Sequence, residues 1–409
     1  METKNSHFSE AGLRRLHDVL ARHVGSGRIP GLVALVSLGG RTHVEALGTM
    51  RHDGGAPMAR DTIFRMASTS KPVTTAAAMV LLDECRLRLD DPVEEWLPEL
   101  ADRQVLRRPD GPLDDTVPAH RPITVRDLLT STFGLGMDFE LLDSPIRAAT
   151  FERTDYSVAS GPAPEPDVWM RRLGELPLSY QPGERWQYDL AHEVLGVLVS
   201  RVAGRPLEDF LRERVLGPLG MKDTAFHVPA DSIDRLPPLY GPDPRTGEFL
   251  VWDEAVGGRS SRPPAFQGAG GGLVSTVDDF HAYFRMLLND GMHEGARILS
   301  RPAVRMMTTN RLTPVQQAAR DTMYRGMAHL TVGQGQHGGW GFGMAVRTRR
   351  EDYAPVGQFG WDGGTGTTVY ADPGTGLTGV LLTQVGMSTA DSPRLMHDFW
   401  ATLHQAVED

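Results

Sequence analysis

The runs able to form a sheet lie at the two ends of this chain, and any fold must bring them together. Leu32-Val-Ala-Leu-Val-Ser-Leu38, then Gly39-Gly40, then Val44-Glu-Ala-Leu47 read as a hairpin. Comparable runs recur only after residue 340: Trp340-Gly-Phe-Gly-Met-Ala-Val346, Thr367-Thr-Val-Tyr-Ala371 and Leu377-Thr-Gly-Val-Leu-Leu-Thr383. Helical spacing brackets them, with Leu13, Leu16, Val19, Leu20 and Val24 inside 9–24 and a last helix from about 391 to 406. The expected architecture is α+β: an antiparallel sheet flanked by terminal helices, plus a mainly helical sub-domain. Residues 10–88 with 335–405 form the sheet-and-helix part, and 89–334 the mainly helical part, of one unit spanning 10–405.

The middle is less regular. Residues 72–85 form an apolar, Ala-rich helix that Asp90-Asp91-Pro92 follows, and Thr124 stands as N-cap of a short helix ending near Gly134. Residues 137–170 show no clear period and read as a long loop or lid. A helix continues from Tyr188 to Ala203, closed by Gly204. Residues 228–267 are Pro/Gly-rich connections, and 276–290 form another helix.

At 409 residues, 40% apolar and net charge −10, the chain is long enough for two sub-domains, and its acidity argues against nucleic acid as a partner. No run approaches the ~20 apolar residues of a membrane span, and the first residues lack the apolar segment of a secretory signal, so a cytoplasmic location without membrane partners is the expectation. Cys85 is alone, which excludes an intramolecular disulfide and a cysteine metal cluster; at the end of an apolar helix it reads as a small core residue. The 14 histidines form no His-Glu-x-x-His, so no metal or cofactor is expected.

Ser68 and Lys71 stand three apart in Phe-Arg-Met-Ala-Ser68-Thr-Ser-Lys71-Pro, and Lys71 is one of three lysines among 42 basic residues. Only an amine can lose its proton at accessible pH, so a lysine is what a base beside a serine requires. On a helix the two positions share a face. A helix cap with an exposed lysine would explain the serines but not the lone lysine.

The second constellation is Pro182-Gly-Glu-Arg-Trp-Gln-Tyr188-Asp-Leu-Ala-His-Glu-Val-Leu-Gly196. Together with Ser68-Thr-Ser-Lys71 it resembles the class C β-lactamase and penicillin-binding-protein superfamily, and most closely the family VIII carboxylesterases. Ile123-Thr-Val-Arg-Asp-Leu-Leu-Thr-Ser131-Thr-Phe-Gly134, Pro218-Leu-Gly-Met221 with Asp223-Thr224, and Gly268-Ala-Gly270-Gly-Gly-Leu273-Val-Ser-Thr-Val-Asp-Asp279 extend the resemblance in order over roughly 10–405. It implies a β-lactamase/DD-peptidase-like fold in which the segments around Ser131 and Gly270 are mainly structural.

The resemblance implies Ser68 as nucleophile, with Lys71 and Tyr188 sharing proton transfer, Lys71 desolvated so that its pKa falls. Backbone N–H groups of Ser68 and Gly364 would bind the oxyanion. Without the resemblance, Tyr188 has a second, less favoured reading as a core residue capping a helix start.

Two departures bear on substrate. In Gly357-Gln-Phe-Gly-Trp361-Asp362-Gly363-Gly364-Thr, Trp361 stands where a β-lactamase has the lysine facing a substrate carboxylate, and Asp362 adds negative charge. A tryptophan suits a neutral acyl or alcohol group. Leu190, in Tyr188-Asp189-Leu190, stands where an asparagine holds a substrate amide. Gly363 and Gly364 read either as a strand-end turn or as glycines allowing close approach of backbone to substrate.

Both departures point to a small-molecule ester or acyl substrate and ester hydrolysis without cofactor. An acyltransferase of the same fold, a β-lactamase or D-amino-acid peptidase, and a non-catalytic binding protein remain alternatives. His192 reads as an exposed helical histidine, and Asp90, Asp91, Asp278 and Asp279 as helix-end charges. No Gly-x-Ser-x-Gly elbow is present.

Overall fold

The structure is a computed structural model and describes residues 6–154, 163–243, 245–246, 248–326, 338–387 and 391–408. Eight strands form one antiparallel sheet: β1 (Gly31–Leu38), β2 (Arg41–Arg51), β3 (Gly54–Pro57), β4 (Gly338–Trp340), β5 (Ala345–Arg347), β6 (Phe359–Gly363), β7 (Thr367–Asp372) and β8 (Leu377–Thr383). Their spatial order is β4-β5-β6-β7-β8-β1-β2-β3. The two ends of the chain join where β8 pairs with β1, from Thr378 opposite Ser37 to Thr383 opposite Leu32. Every residue of β1 is buried, which is why it reads as a continuous apolar run rather than an alternating one.

Both faces of the sheet are covered. Leu32, Ala34 and Val36 point to α1 (Glu10–Gly25) and α5 (Asp391–Gln405), where they meet Leu16, Leu20, Phe399, Trp400 and Leu403. Val33 and Leu35 point the other way, into a larger core holding Val73, Ala76 and Ala77 of α2 (Ser70–Asp83), Val194 and Leu198 of α3 (Leu190–Ala203), and Phe280 and Phe284 of α4 (Val277–Leu288). Each Val, Leu or Phe side chain among them, fully buried, contributes about 1.5–3 kcal/mol before the entropy of ordering is counted. Ser9 starts α1 by accepting from the Gly12 amide, and Thr124 with Asp127 forms a capping box on the helix Val125–Leu129.

Three sequence expectations change. Residues 137–170 are not a featureless loop: Pro145–Thr154 and Pro166–Gly174 are helices, the second burying Trp169, Met170 and Leu173. Each is too short for its period to stand out, although proline at the first turn of the second is a helix-start signal. Residues 155–162 lie outside the described residues. The 228–267 connections contain a hairpin of Leu239–Pro242 with Phe249–Asp253. Cys85 is exposed rather than in the core, because α2 ends at Asp83 and Cys85 follows in a left-handed turn with φ +57°.

Candidate active site

Ser68 sits in a turn that the chain holds from three sides. Ala67, at φ +45°, is a strained non-glycine residue that swings the backbone into the short 3₁₀ turn Ala67–Thr69 before α2 begins. The Met66 carbonyl accepts from Thr69 Oγ1 at 2.6 Å and from Thr367 Oγ1 of β7 at 2.9 Å, while the Met66 amide donates to Leu273 O at 2.8 Å. Helix, sheet and the Gly268–Leu273 segment therefore all fix this turn. Ser68 remains half-buried and reachable, whereas Lys71, one turn on, is fully buried.

The Lys71 ammonium has four neighbours. Nζ donates to Ser68 Oγ at 3.1 Å and to Gly270 O at 2.6 Å, forms an ion pair with the Asp189 carboxylate, and lies 4.9 Å from the centre of the Tyr188 ring. Burial works to lower its pKa, but Asp189, then Tyr188 and Glu193, more than reverse this, and the net direction is up. The expectation of a desolvated lysine with a lowered pKa is thus corrected: the buried amine has a buried counter-ion.

Asp189 supplies that counter-ion from an unusual backbone position. Its φ of +90° and ψ of −55° lie near the rare, strained γ-turn region, immediately before Leu190 opens α3. One turn into α3, Glu193 is fully buried, and its pKa is pushed up to about 7 by burial and by the Asp189 charge, against the pull of Lys71 and of hydrogen bonds from the Gly270 and Ala269 amides. His192 is also fully buried, not exposed as its helical position suggested; burial and the Lys71 charge hold its pKa well below the usual imidazole value.

Tyr188 is anchored by backbone hydrogen bonds with Met137 and stacks on Trp186 with centroids 5.8 Å apart. Its hydroxyl accepts from Trp361 Nε1 at 2.9 Å. Trp361 is itself packed edge-on against Trp340, and the guanidinium carbon of Arg320 lies 5.7, 5.8 and 5.9 Å from the rings of Trp186, Trp340 and Trp361. This closed aromatic box fills the end of the sheet beside Ser68.

Ser68, Lys71, Tyr188 and Trp361 therefore converge. Gly363 is needed for close approach: a Cβ there would lie 2.3 Å from Met66 O and 2.2 Å from Thr367 Oγ1. A Cβ on Gly364 would meet nothing within 4 Å, so this backbone faces open space. Two expected residues do not join the site. Asp362 alternates with Trp361 on β6 and points to the opposite face, where its Oδ2 accepts from Tyr370 OH at 2.9 Å. Leu190 is buried in the main core, because the first turn of α3 directs it inward.

Sequence reasoning missed Asp189, Glu193 and the Gly270 carbonyl. Asp189 lay inside the tyrosine motif, and an acid next to the tyrosine was its signal; a backbone carbonyl leaves none. Among the described residues no group of three or more His, Cys, Asp or Glu is placed to hold a metal, and no helix is long and apolar enough to cross a membrane. A cavity of about 600 Å³ lined by Gly196, Arg201, Leu207 and Phe266 includes none of the residues above.

Known proteins similar to this chain include enzymes that act on esters. The chain is 42% identical over 349 residues to protein Rv1367c of Mycobacterium tuberculosis, covering 83% of this chain and 82% of that one. It is 30% identical over 401 residues to esterase EstB of Burkholderia gladioli, covering 93% and 92%. Among solved structures, EstCE1, a hydrolase with promiscuous acyltransferase activity, superposes with a TM-score of 0.77 at 26% identity over 97% of this chain and 98% of that one. Simvastatin synthase LovD of Aspergillus terreus shares the fold, with a TM-score of 0.79 at 21% identity over 97% and 98%. A sequence model of the beta-lactamase family matches residues 16–396, and on that span the chain belongs to this family.

Proposed function

We propose that this chain is a serine hydrolase that cleaves carboxylic esters through an acyl intermediate on Ser68. The observation that carries the reading is the 3.1 Å hydrogen bond from buried Lys71 Nζ to half-buried Ser68 Oγ, beside a tyrosine held by the tryptophan that replaces a β-lactamase's lysine. Ser68 Oγ bonds to the ester carbonyl carbon as its proton passes to the Lys71–Tyr188 pair, and the carbonyl π electrons move onto oxygen. Backbone N–H groups of Ser68 and Gly364 hold that oxyanion, each such donor being worth on the order of 3 kcal/mol. Collapse breaks the bond to the leaving alkoxide, which recovers the proton. Water then repeats the sequence on the acyl-serine.

Similarity to esterase EstB supports this choice of substrate class. Trp361 supports it independently, since the chain carries no ammonium at that position to pair with a substrate carboxylate. A second reading, acyl transfer to an alcohol in place of water, is favoured by the likeness to EstCE1, whose description includes that activity, and uses the same acyl-enzyme.

Intact-protein mass spectrometry after treatment with a fluorophosphonate or an activated aryl ester tests the reading. One adduct is expected, absent in Ser68→Ala. An adduct that survives the substitution moves the nucleophile elsewhere, and the absence of any adduct on the native protein defeats the proposal.

A further inference from the structure

The aromatic box beside Ser68 is assembled from two different walls of the molecule, and one buried side chain spans them. Trp186 and Tyr188 stand in the helical part, on the loop that leads into α3, whereas Trp340 and Trp361 stand on β4 and β6 of the sheet. We propose that Arg320 is a positioning residue for ester hydrolysis: its guanidinium joins the two walls and so keeps the Tyr188 hydroxyl on the Trp361 N–H. The inference rests on the Ser68 reading and deepens it.

The helix Pro314–Gly326, which carries Arg320, is fastened to both walls. Gln316 Nε2 donates at 2.6 Å to Gly183 O, on the loop that leads to Trp186. On the other side Gln317 Nε2 donates at 2.9 Å to Gly338 O of the edge strand β4, and Arg320 Nη1 donates to the same oxygen. Just before the helix, Asn310 Oδ1 accepts from the Trp340 amide at 3.0 Å, and the Arg311 amide donates to Trp340 O at 2.8 Å. This segment therefore covers the outer edge of the sheet.

Arg320 is where the two attachments meet. It is fully buried, and its guanidinium carbon lies almost equally far from the rings of Trp186, Trp340 and Trp361. Taking a guanidinium out of water is costly, and a position that served packing alone would take an apolar side chain. Here Gly338 O and the electron-rich faces of three indoles stand in for water. The ring contacts also lead to both ends of one hydrogen bond. Trp361 is its donor, and Trp186 stacks on Tyr188, its acceptor. Removing the head group leaves a void between the walls and frees each end to shift against the other. A lysine cannot substitute, since a compact ammonium does not reach one carbonyl and three rings at once.

The chain has seven tryptophans, so ¹⁵N-labelled protein gives seven indole N–H signals, and Trp→Phe variants assign them. Trp169 Nε1 donates to Thr154 O and Trp400 Nε1 to Thr368 Oγ1, both buried in other parts of the core, and these two serve as controls. In Arg320→Met, which keeps the length and deletes the charge, the Trp361 N–H should exchange with solvent at least about tenfold faster while both controls keep their native rates. A purely structural role would speed all three together. On an aryl ester the same variant should lose roughly tenfold in kcat with KM little changed, and less than about threefold when introduced into Trp361→Phe, because both changes act on one contact.

Exchange that rises equally at all three indoles or at none, or kcat losses that simply multiply, overturns the inference. Arg320→Lys repeats both measurements should the methionine variant not fold. In the native protein itself, a Trp361 N–H that exchanges as freely as an exposed indole also overturns it. Since exchange needs no turnover, it is separable from the Ser68 adduct, whose absence would sink the hydrolase reading instead.

Discussion

Trp361 and Tyr188 are joined by a hydrogen bond of 2.9 Å from the indole Nε1 to the phenolic oxygen, with ring centroids 5.7 Å apart. The residue that, by resemblance to β-lactamases, stands where a carboxylate-binding lysine is expected thus also supports the tyrosine. It is held in turn by Trp340, 4.8 Å away edge to face, so the indole has little freedom to release its partner.

Trp361→Phe keeps much of the ring and deletes the N–H. A net hydrogen bond is worth about 1 kcal/mol, more toward a charged oxygen, so kcat on an aryl ester should fall roughly tenfold with KM little changed. Far-ultraviolet circular dichroism should be unaltered. A variant with native kcat would make the contact a packing feature only.

Lys71→Arg should be nearly as damaging as Lys71→Ala, with a loss on the order of 10²–10⁴ in kcat/KM. The amine occupies a fully buried space between Ser68 Oγ, Gly270 O and Asp189, and a planar guanidinium matches neither the volume nor the three-way donor geometry. Recovery of most of the native rate in the arginine variant would show that a positive charge alone suffices.

The outline of this fold was legible because its signals are local. Glycine pairs, alternating or continuous apolar runs and N-cap residues mark β1, β2, β8, α1 and the helix at Val125, and the Ser68, Lys71 and Tyr188 motifs carry their own spacing. What was not legible depends on direction. Asp362 and Leu190 each sit one residue from a site side chain, yet a strand sends neighbours to opposite faces and a helix start turns Leu190 into the core. The direction of the Lys71 pKa was misread for a related reason. Burial was foreseeable from sequence, but the counter-ion depends on the φ of one residue, Asp189, which no pattern encodes.

Glu193 should leave a mark on stability as a function of pH. Its pKa is raised by burial from an ordinary 4.5 to about 7, so between those values the native state holds a proton that the unfolded chain has released. Stability from this group is therefore greatest below pH ~4.5 and is lost as pH rises to ~7, by about 3 kcal/mol at most. Glu193→Gln has no such proton, and urea unfolding at pH 5 and pH 8 should differ less for it than for the native chain. Equal differences for the two proteins would place the titration of Glu193 near its ordinary value.

Substrate preference provides the broadest test. Short-chain aryl esters should be turned over faster than penicillins or cephalosporins, because the ammonium that would meet a β-lactam carboxylate is replaced by Trp361. The missing asparagine contact does not add to this estimate, since Leu190 lies in the core and says nothing about what else faces the substrate amide. One charge-assisted contact of about 1.5–3 kcal/mol corresponds to roughly ten- to a hundredfold in kcat/KM. Trp361→Lys restores the charge but removes the N–H that supports Tyr188, so it should lower the ester rate more than it raises the β-lactam rate, narrowing the ratio mainly from the ester side. The decisive measurement is kcat/KM of the native protein on a butyrate aryl ester and on a chromogenic cephalosporin under one set of conditions; a cephalosporin value equal to or above the ester value would return the β-lactamase reading to first place.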